Sequence, residues 1–145
     1  MSDLLIRSVP SRALWSSDET FDGKFTSFER ARSNPKPVQD GGIPIVVGGH
    51  TKAAARRAGR LANGFFPARP QNLAELIAEC RKAAEEAGRD PDAIEITTGG
   101  LPTPDFAKQM EDAGAHRLVI PPPSFDPNDI KRALGEVSEN LVAKV

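Results

Sequence analysis

The stretch IPIVVGGHTKAAARRAGRLANGFFP, residues 43–67, decides the fold. Residues 43–49 form a β-branched run closed by two glycines. The apolar residues are consecutive, as in a parallel strand buried on both faces. Thr51 is placed to cap a following helix. Ala54, Ala55, Ala58, Leu61 and Ala62 then share one face, with Arg56, Arg57 and Arg60 mostly on the other. Asn63-Gly64 ends that helix, and Phe65-Phe66 is a very short second apolar run.

Downstream the same alternation continues. A longer helix is expected from about Asn72 to Ala87, with Leu73, Leu76, Ile77, Cys80 and Ala84 as its buried stripe and Gly88 as its stop. IEITTGG, residues 94–100, is a third strand. Residues 104–113 form a helix with Phe106, Ala107, Met110 and Ala113 inward. RLVI, residues 117–120, is a fourth strand, ended by three prolines. A last helix runs from about Pro127 to Leu141, with Ile130, Ala133, Leu134, Val137 and Leu141 inward. Such alternation implies parallel strands joined by right-handed crossovers. Two closures fit. One is a small open sheet with helices on both faces, the other part of a (β/α)8 barrel, which needs ~250 residues when complete.

Upstream, residues 1–42 differ and are read as a separate N-terminal region, with 43–145 as the β/α domain. Phe21, Phe25 and Phe28 flank the turn dipeptide Asp22-Gly23, which favours a hairpin. Trp15 and these phenylalanines form a small hairpin core or an interface, and burial against a partner is the expectation. Pro35 and Pro37 make residues 31–42 an extended connector.

Composition narrows the function. The 145 residues are 39% hydrophobic and 27% charged, with a formal charge of −1. That balance argues against nucleic acid or an anionic membrane as partner. One cysteine and two histidines leave little for a metal site, and none is expected. No apolar run approaches the ~18 residues of a membrane span, and the N-terminus lacks the features of a secretory signal. A soluble cytoplasmic protein is expected.

The turn after the first strand suits an anion. Gly48 and Gly49 let backbone approach a ligand, and the first helical amides have no internal partner. The helix dipole favours a phosphate there. Thr51 offers a hydroxyl and Lys52 a charge. On local physics alone a tight turn binding nothing fits the residues slightly better, since neither G-x-G-x-x-G nor a Walker lysine pattern is present. Thr97, Thr98, Gly99 and Gly100 end the third strand on the same side and are candidates to line a pocket. Glu79, Glu85 and Glu86 are expected to pair with Arg81, Lys82 and Arg89. Catalytic residues are not legible: no paired carboxylates or nucleophile–base arrangement stands out.

In order and wording the chain resembles the luciferase-like monooxygenase family of flavin- or deazaflavin-dependent oxidoreductases. Ala13-Leu14-Trp15 and Phe21-Asp22-Gly23-Lys24-Phe25 look like the family's helix end and hairpin, and Pro35-Lys36-Pro37-Val38-Gln39 like its extended lead-in. Residues 43–49 resemble its fifth barrel strand. Arg57-Ala58 through Asn63-Gly64-Phe65-Phe66-Pro67 resembles the next helix and the sixth strand. Ala87-Gly88-Arg89-Asp90-Pro91 with Ile94-Glu95-Ile96-Thr97 resembles the seventh, and residues 113–120 the eighth. Asn63 stands where many members have aspartate.

The resemblance implies an α/β fold of four β/α units, the C-terminal half of a (β/α)8 TIM barrel. It implies FMN or the deazaflavin coenzyme F-420 (F420) as cofactor. Gly48 and Gly49 would contact its phosphate-bearing tail, with His50 and Thr51 as neighbours. Members carry four more β/α units before this segment, with most contacts to the cofactor ring and the substrate. Closure by a second copy, by a separate chain, or by helices swinging over an open sheet are the three routes. The expected function is that of a luciferase-like oxidoreductase or monooxygenase. A catalytically inactive half-barrel serving as a dimerising or assembly subunit, and a generic phosphate-binding module, are the alternatives.

Overall fold

The computed structural model describes residues 11–16, 20–24 and 26–144. Phe25 and the weakly patterned residues 1–10 lie outside them. Backbone packing divides the chain into two compact units, residues 1–45 and 46–145.

In the first unit residues 11–15 are helical. Trp15 lies against Gly42, where a Cβ would come within 2.6 Å of the indole. Strands β1 (Phe21–Asp22) and β2 (Ser27–Phe28) pair antiparallel, Phe21 opposite Phe28, with ring centroids 5.7 Å apart. The hairpin is present, but Asp22 belongs to the strand. The turn begins at Gly23, whose N–H donates to the carbonyl of Thr26 at 3.1 Å. Facing phenylalanines fix this register more firmly than the Asp-Gly dipeptide does.

The second unit holds β3 (Val46–Gly48), α1 (Lys52–Leu61), β4 (Gly64–Phe66), α2 (Leu73–Glu85), β5 (Glu95–Gly99), α3 (Pro104–Asp112), β6 (Arg117–Val119) and α4 (Ile130–Asn140). A single 3-10 turn, Val142–Lys144, follows. The strands form one parallel sheet in the order β3-β4-β5-β6. That order never reverses. Right-handed crossovers then put every connecting helix on the same face. A sheet covered on both faces is thereby excluded, and the architecture is that of part of a barrel.

The register separates the two faces. Val47, Phe65 and Ile96 stand side by side and are buried, and Thr98 continues their face. This face meets the helices, and α1 packs on β3 and β4. The opposite face carries Val46, Gly48, Phe66, Glu95, Thr97, Arg117 and Val119. Val46 and Val119 are 50% and 46% exposed. The expectation that the first strand is buried on both faces therefore fails. β3 and β6 are the edges of the sheet.

The helical stripes are met unevenly. Leu73, Leu76, Ile77, Cys80 and Ala84 are all buried, as expected. Each large member of such a stripe contributes about 1.5–3 kcal/mol by leaving water. α1 approaches α2 at Gly59, where a Cβ would stand 2.1 Å from the carbonyl oxygen of Cys80. In α3 only Met110 is buried, while Phe106, Ala107 and Ala113 are half-buried. In α4 Leu134 is 50% exposed against expectation.

Candidate functional site

The β3–α1 turn is built by local chemistry. Gly49 has a φ of +139°, a conformation that side-chain-bearing residues avoid, and a Cβ there would stand 2.7 Å from Cβ of Ala54. Its N–H donates to the carbonyl of Phe66 at 3.2 Å, tying the turn to the end of β4. That amide is committed and is not free for a ligand. Gly48 is different: its nearest neighbour would be the Phe66 carbonyl, 3.8 Å from an added Cβ. Gly48 is exposed and faces the open side of the sheet.

Thr51 is the N-cap of α1, and its Oγ1 accepts from the Ala54 N–H at 3.2 Å. Ala55 N–H donates to the Thr51 carbonyl at 3.0 Å. The amides of Lys52 and Ala53 remain without an intrahelical acceptor. The Thr51 hydroxyl keeps its own proton to donate. The first turn of α1 contains no acidic residue, so nothing in it opposes an anion. His50 is exposed beside these amides. Lys52 is turned away: its Nζ pairs with Glu75 of α2 at 2.6 Å. That pair raises the lysine pKa, first through the hydrogen bond and then through charge. The structure thus brings Gly48, His50, Thr51 and two free amides together.

At the end of β5 the candidates separate. Thr98 is fully buried on the helix side and donates to the Pro67 carbonyl at 3.1 Å. A Cβ on Gly100 would overlap the Phe106 ring at 1.9 Å, and one on Gly99 would stand 2.7 Å from the Ala68 carbonyl oxygen. These glycines allow close packing. Thr97 and Gly99 lie on the open face, in line with Phe66 and Val119. Sequence reading treated residues 97–100 as one group and overlooked Phe66 and Val119. The alternation of buried residues along β5 is the signal that divides them.

Other groups are structural. His116 Nδ1 accepts from the Ile96 N–H at 2.9 Å, while the His116 backbone N–H donates to the Ile96 carbonyl at 2.8 Å. Burial pushes the Cys80 thiol up to about 11. The surface charges pair differently from expectation: Arg56 bonds Glu79 at 2.8 Å, and Arg81 lies 3.5 Å from Asp92. Arg89 donates to the carbonyls of Gly59 and Ala62 at 2.5 and 2.6 Å, closing the C-terminal end of α1. A part-buried guanidinium satisfying helix carbonyls outcompetes an exposed pair with glutamate. Among the described residues no group of three or more His, Cys, Asp or Glu is placed to hold a metal, and no helix is long and apolar enough to cross a membrane.

Comparison with known proteins adds the family. The chain is 35% identical over 136 residues to an uncharacterized protein of Mycobacterium tuberculosis, covering 86% of this chain and 46% of that one. It is 29% identical over 145 residues to the F420-dependent glucose-6-phosphate dehydrogenase of Mycolicibacterium fortuitum, covering 92% of this chain and 43% of the enzyme. The chain thus spans somewhat less than half the length of these curated relatives. The coenzyme F420-dependent tetrahydromethanopterin reductase of Methanopyrus kandleri superposes with a TM-score of 0.76 at 14% identity, over 95% of this chain and 62% of that one. That likeness shows a shared fold. The sequence profile of the luciferase-like monooxygenases matches residues 11–119, and the chain belongs to that family.

Proposed function

We propose that this chain is part of a luciferase-like F420- or flavin-dependent oxidoreductase, and that residues 48–53 hold the phosphate-bearing tail of the cofactor. One observation carries the reading. An exposed glycine, a threonine hydroxyl and two free helical amides meet at a helix N-terminus with no acid in its first turn. Phosphate is the group such a site suits. Two of the similar proteins are F420-dependent by name, so F420 is the first cofactor to test and FMN the second.

The bound cofactor supplies hydride- or oxygen-transfer chemistry at its ring. The chain's own share is binding and orientation. The Lys52 and Ala53 amides and the Thr51 hydroxyl donate to phosphate oxygens. Gly48 leaves room for their approach, and Phe66 and Val119 give the adjoining face an apolar surface that sheds water. In this reading ring contacts, substrate contacts and proton-transfer groups come from β/α units outside these residues. A reducing compartment such as the cytoplasm accords with a lone buried thiol.

The test is a fluorescence titration of the purified chain with F420 and FMN in parallel, repeated with Gly48→Trp. The expected result is saturable binding of one of them at micromolar concentration, lost in the variant. Absence of binding of both up to millimolar overturns the proposal. Equal binding of any phosphate compound points instead to the generic phosphate-binding module.

A further inference from the structure

We propose that Glu75 sets which phosphates the β3–α1 turn prefers: by holding the Lys52 ammonium, it shifts that preference from doubly charged phosphomonoesters toward singly charged phosphodiesters. The inference rests on the phosphate reading of the turn and names the ligand class within it.

The first observation is the register of two helices. A Cβ on Gly59 of α1 would stand 2.1 Å from the carbonyl oxygen of Cys80 and 2.9 Å from the amide nitrogen of Ala84, both on α2. So close a contact fixes the helices lengthwise. Lys52 and Arg56, one turn apart on α1, then face Glu75 and Glu79, one turn apart on α2. Both rungs form, at 2.6 Å and 2.8 Å. The Lys52 rung joins the first turns of the two helices, beside the β3–α1 turn.

The second observation is where the ammonium would otherwise go. Side chains lean toward the N-terminus of their helix. Lys52 is the first residue of α1, so without a partner its side chain reaches back over Thr51 and the amides of residues 52 and 53. Glu75 draws the charge sideways instead, and its hydrogen bond and then its attraction raise the lysine pKa there. The carboxylate also places a negative charge near the turn. Both effects act on a ligand in proportion to its charge. The two side chains are 50% and 53% exposed, so the pair is weak and screened and the result is a bias of a few-fold.

The bias separates the two cofactors. FMN ends in a phosphomonoester, with a charge of about −1.5 to −2 at pH 7. F420 carries its phosphate as a diester, with a single charge and two free oxygens. The Thr51 hydroxyl and the helical amides are neutral donors that serve either group. Glu75 thereby tilts the turn toward F420.

Amide-resolved NMR titrations of the full chain with phenyl phosphate and methyl phenyl phosphate, at neutral pH and low salt, test this. The probes differ by one methyl group and one charge, and the amides of Lys52 and Ala53 report on both. Glu75→Gln is expected to tighten the monoester about four-fold and the diester about two-fold, because the logarithm of the gain follows ligand charge. The same variant is expected to move the ratio of FMN to F420 affinity toward FMN. Adding Lys52→Met, which keeps the backbone amide, is expected to remove most of the gain, and 1 M NaCl to abolish it. Wild-type binding at these amides with no gain in Glu75→Gln, with equal gains for both probes, or with a gain that survives Lys52→Met overturns the proposal and leaves the phosphate turn standing. Absence of binding of both probes at these amides in the wild type overturns the phosphate reading itself, and this inference with it.

Discussion

At the scale of the residue, two glycines that look alike in sequence do different work. Gly49 is held at positive φ and against Ala54, so Gly49→Ala is expected to lower stability by about 1–3 kcal/mol in urea unfolding. Gly48 has space for a methyl group. Gly48→Ala is expected to change stability by less than about 0.5 kcal/mol, as surface substitutions do, while weakening phosphate binding. A comparable loss of stability in both variants would contradict that division. Thr51→Ala removes the cap of α1 and is expected to cost about 1 kcal/mol.

Cys80 supplies a pH prediction. Its thiol ionises near 11 in the folded chain, against 9.0 for the ordinary group, because burial penalises the thiolate. A raised pKa means that the folded state keeps its proton where the unfolded chain has released it. The contribution is complete below pH 9.0 and is lost as pH rises toward 11. Urea midpoints measured between those limits should fall more steeply in the wild type than in Cys80→Ala. Equal slopes would show that the thiol is accessible.

At the scale of the element, helices were more legible than strands. The stripe of α2 is periodic and fully buried, so its residues could be named from spacing alone. Thr51 and Gly88 marked ends that the structure keeps. The faces of β3 were misjudged because a run of consecutive apolar residues does not show which strand is an edge. That property belongs to the sheet. Leu134 was misjudged as well: its stripe is amphipathic, but the side chain stays half exposed on α4. Arg89 carried no legible signal, since its partners are backbone carbonyls of α1 some thirty residues earlier. Arg89→Met leaves those carbonyls without a charged donor. It is expected to cost about 1.5–3 kcal/mol, and a loss below 0.5 kcal/mol would show that water replaces it. Gly59→Ala tests the tightest helix contact and is expected to destabilise by about 1–3 kcal/mol.

At the scale of the whole molecule, the strand order, the shared covered face and the family match agree on one architecture. Four β/α units make a sheet with one buried face and one open face. The candidate site lies where the open face meets the N-terminus of α1. The order of elements was readable in the sequence because each strand ends in glycine or proline and each helix has its own stripe. The site was readable only at the turn. The groups that would meet a cofactor ring are spread over distant strand ends, and spacing in one half-barrel does not reveal them.

The most direct measurement is an amide-resolved NMR titration of the labelled chain with F420, followed by FMN. The account predicts saturable shifts at Gly48, His50, Thr51, Lys52 and Ala53, with Ile96 and His116 at the opposite end of the strands unmoved. Shifts centred elsewhere, or none with either cofactor, would contradict it.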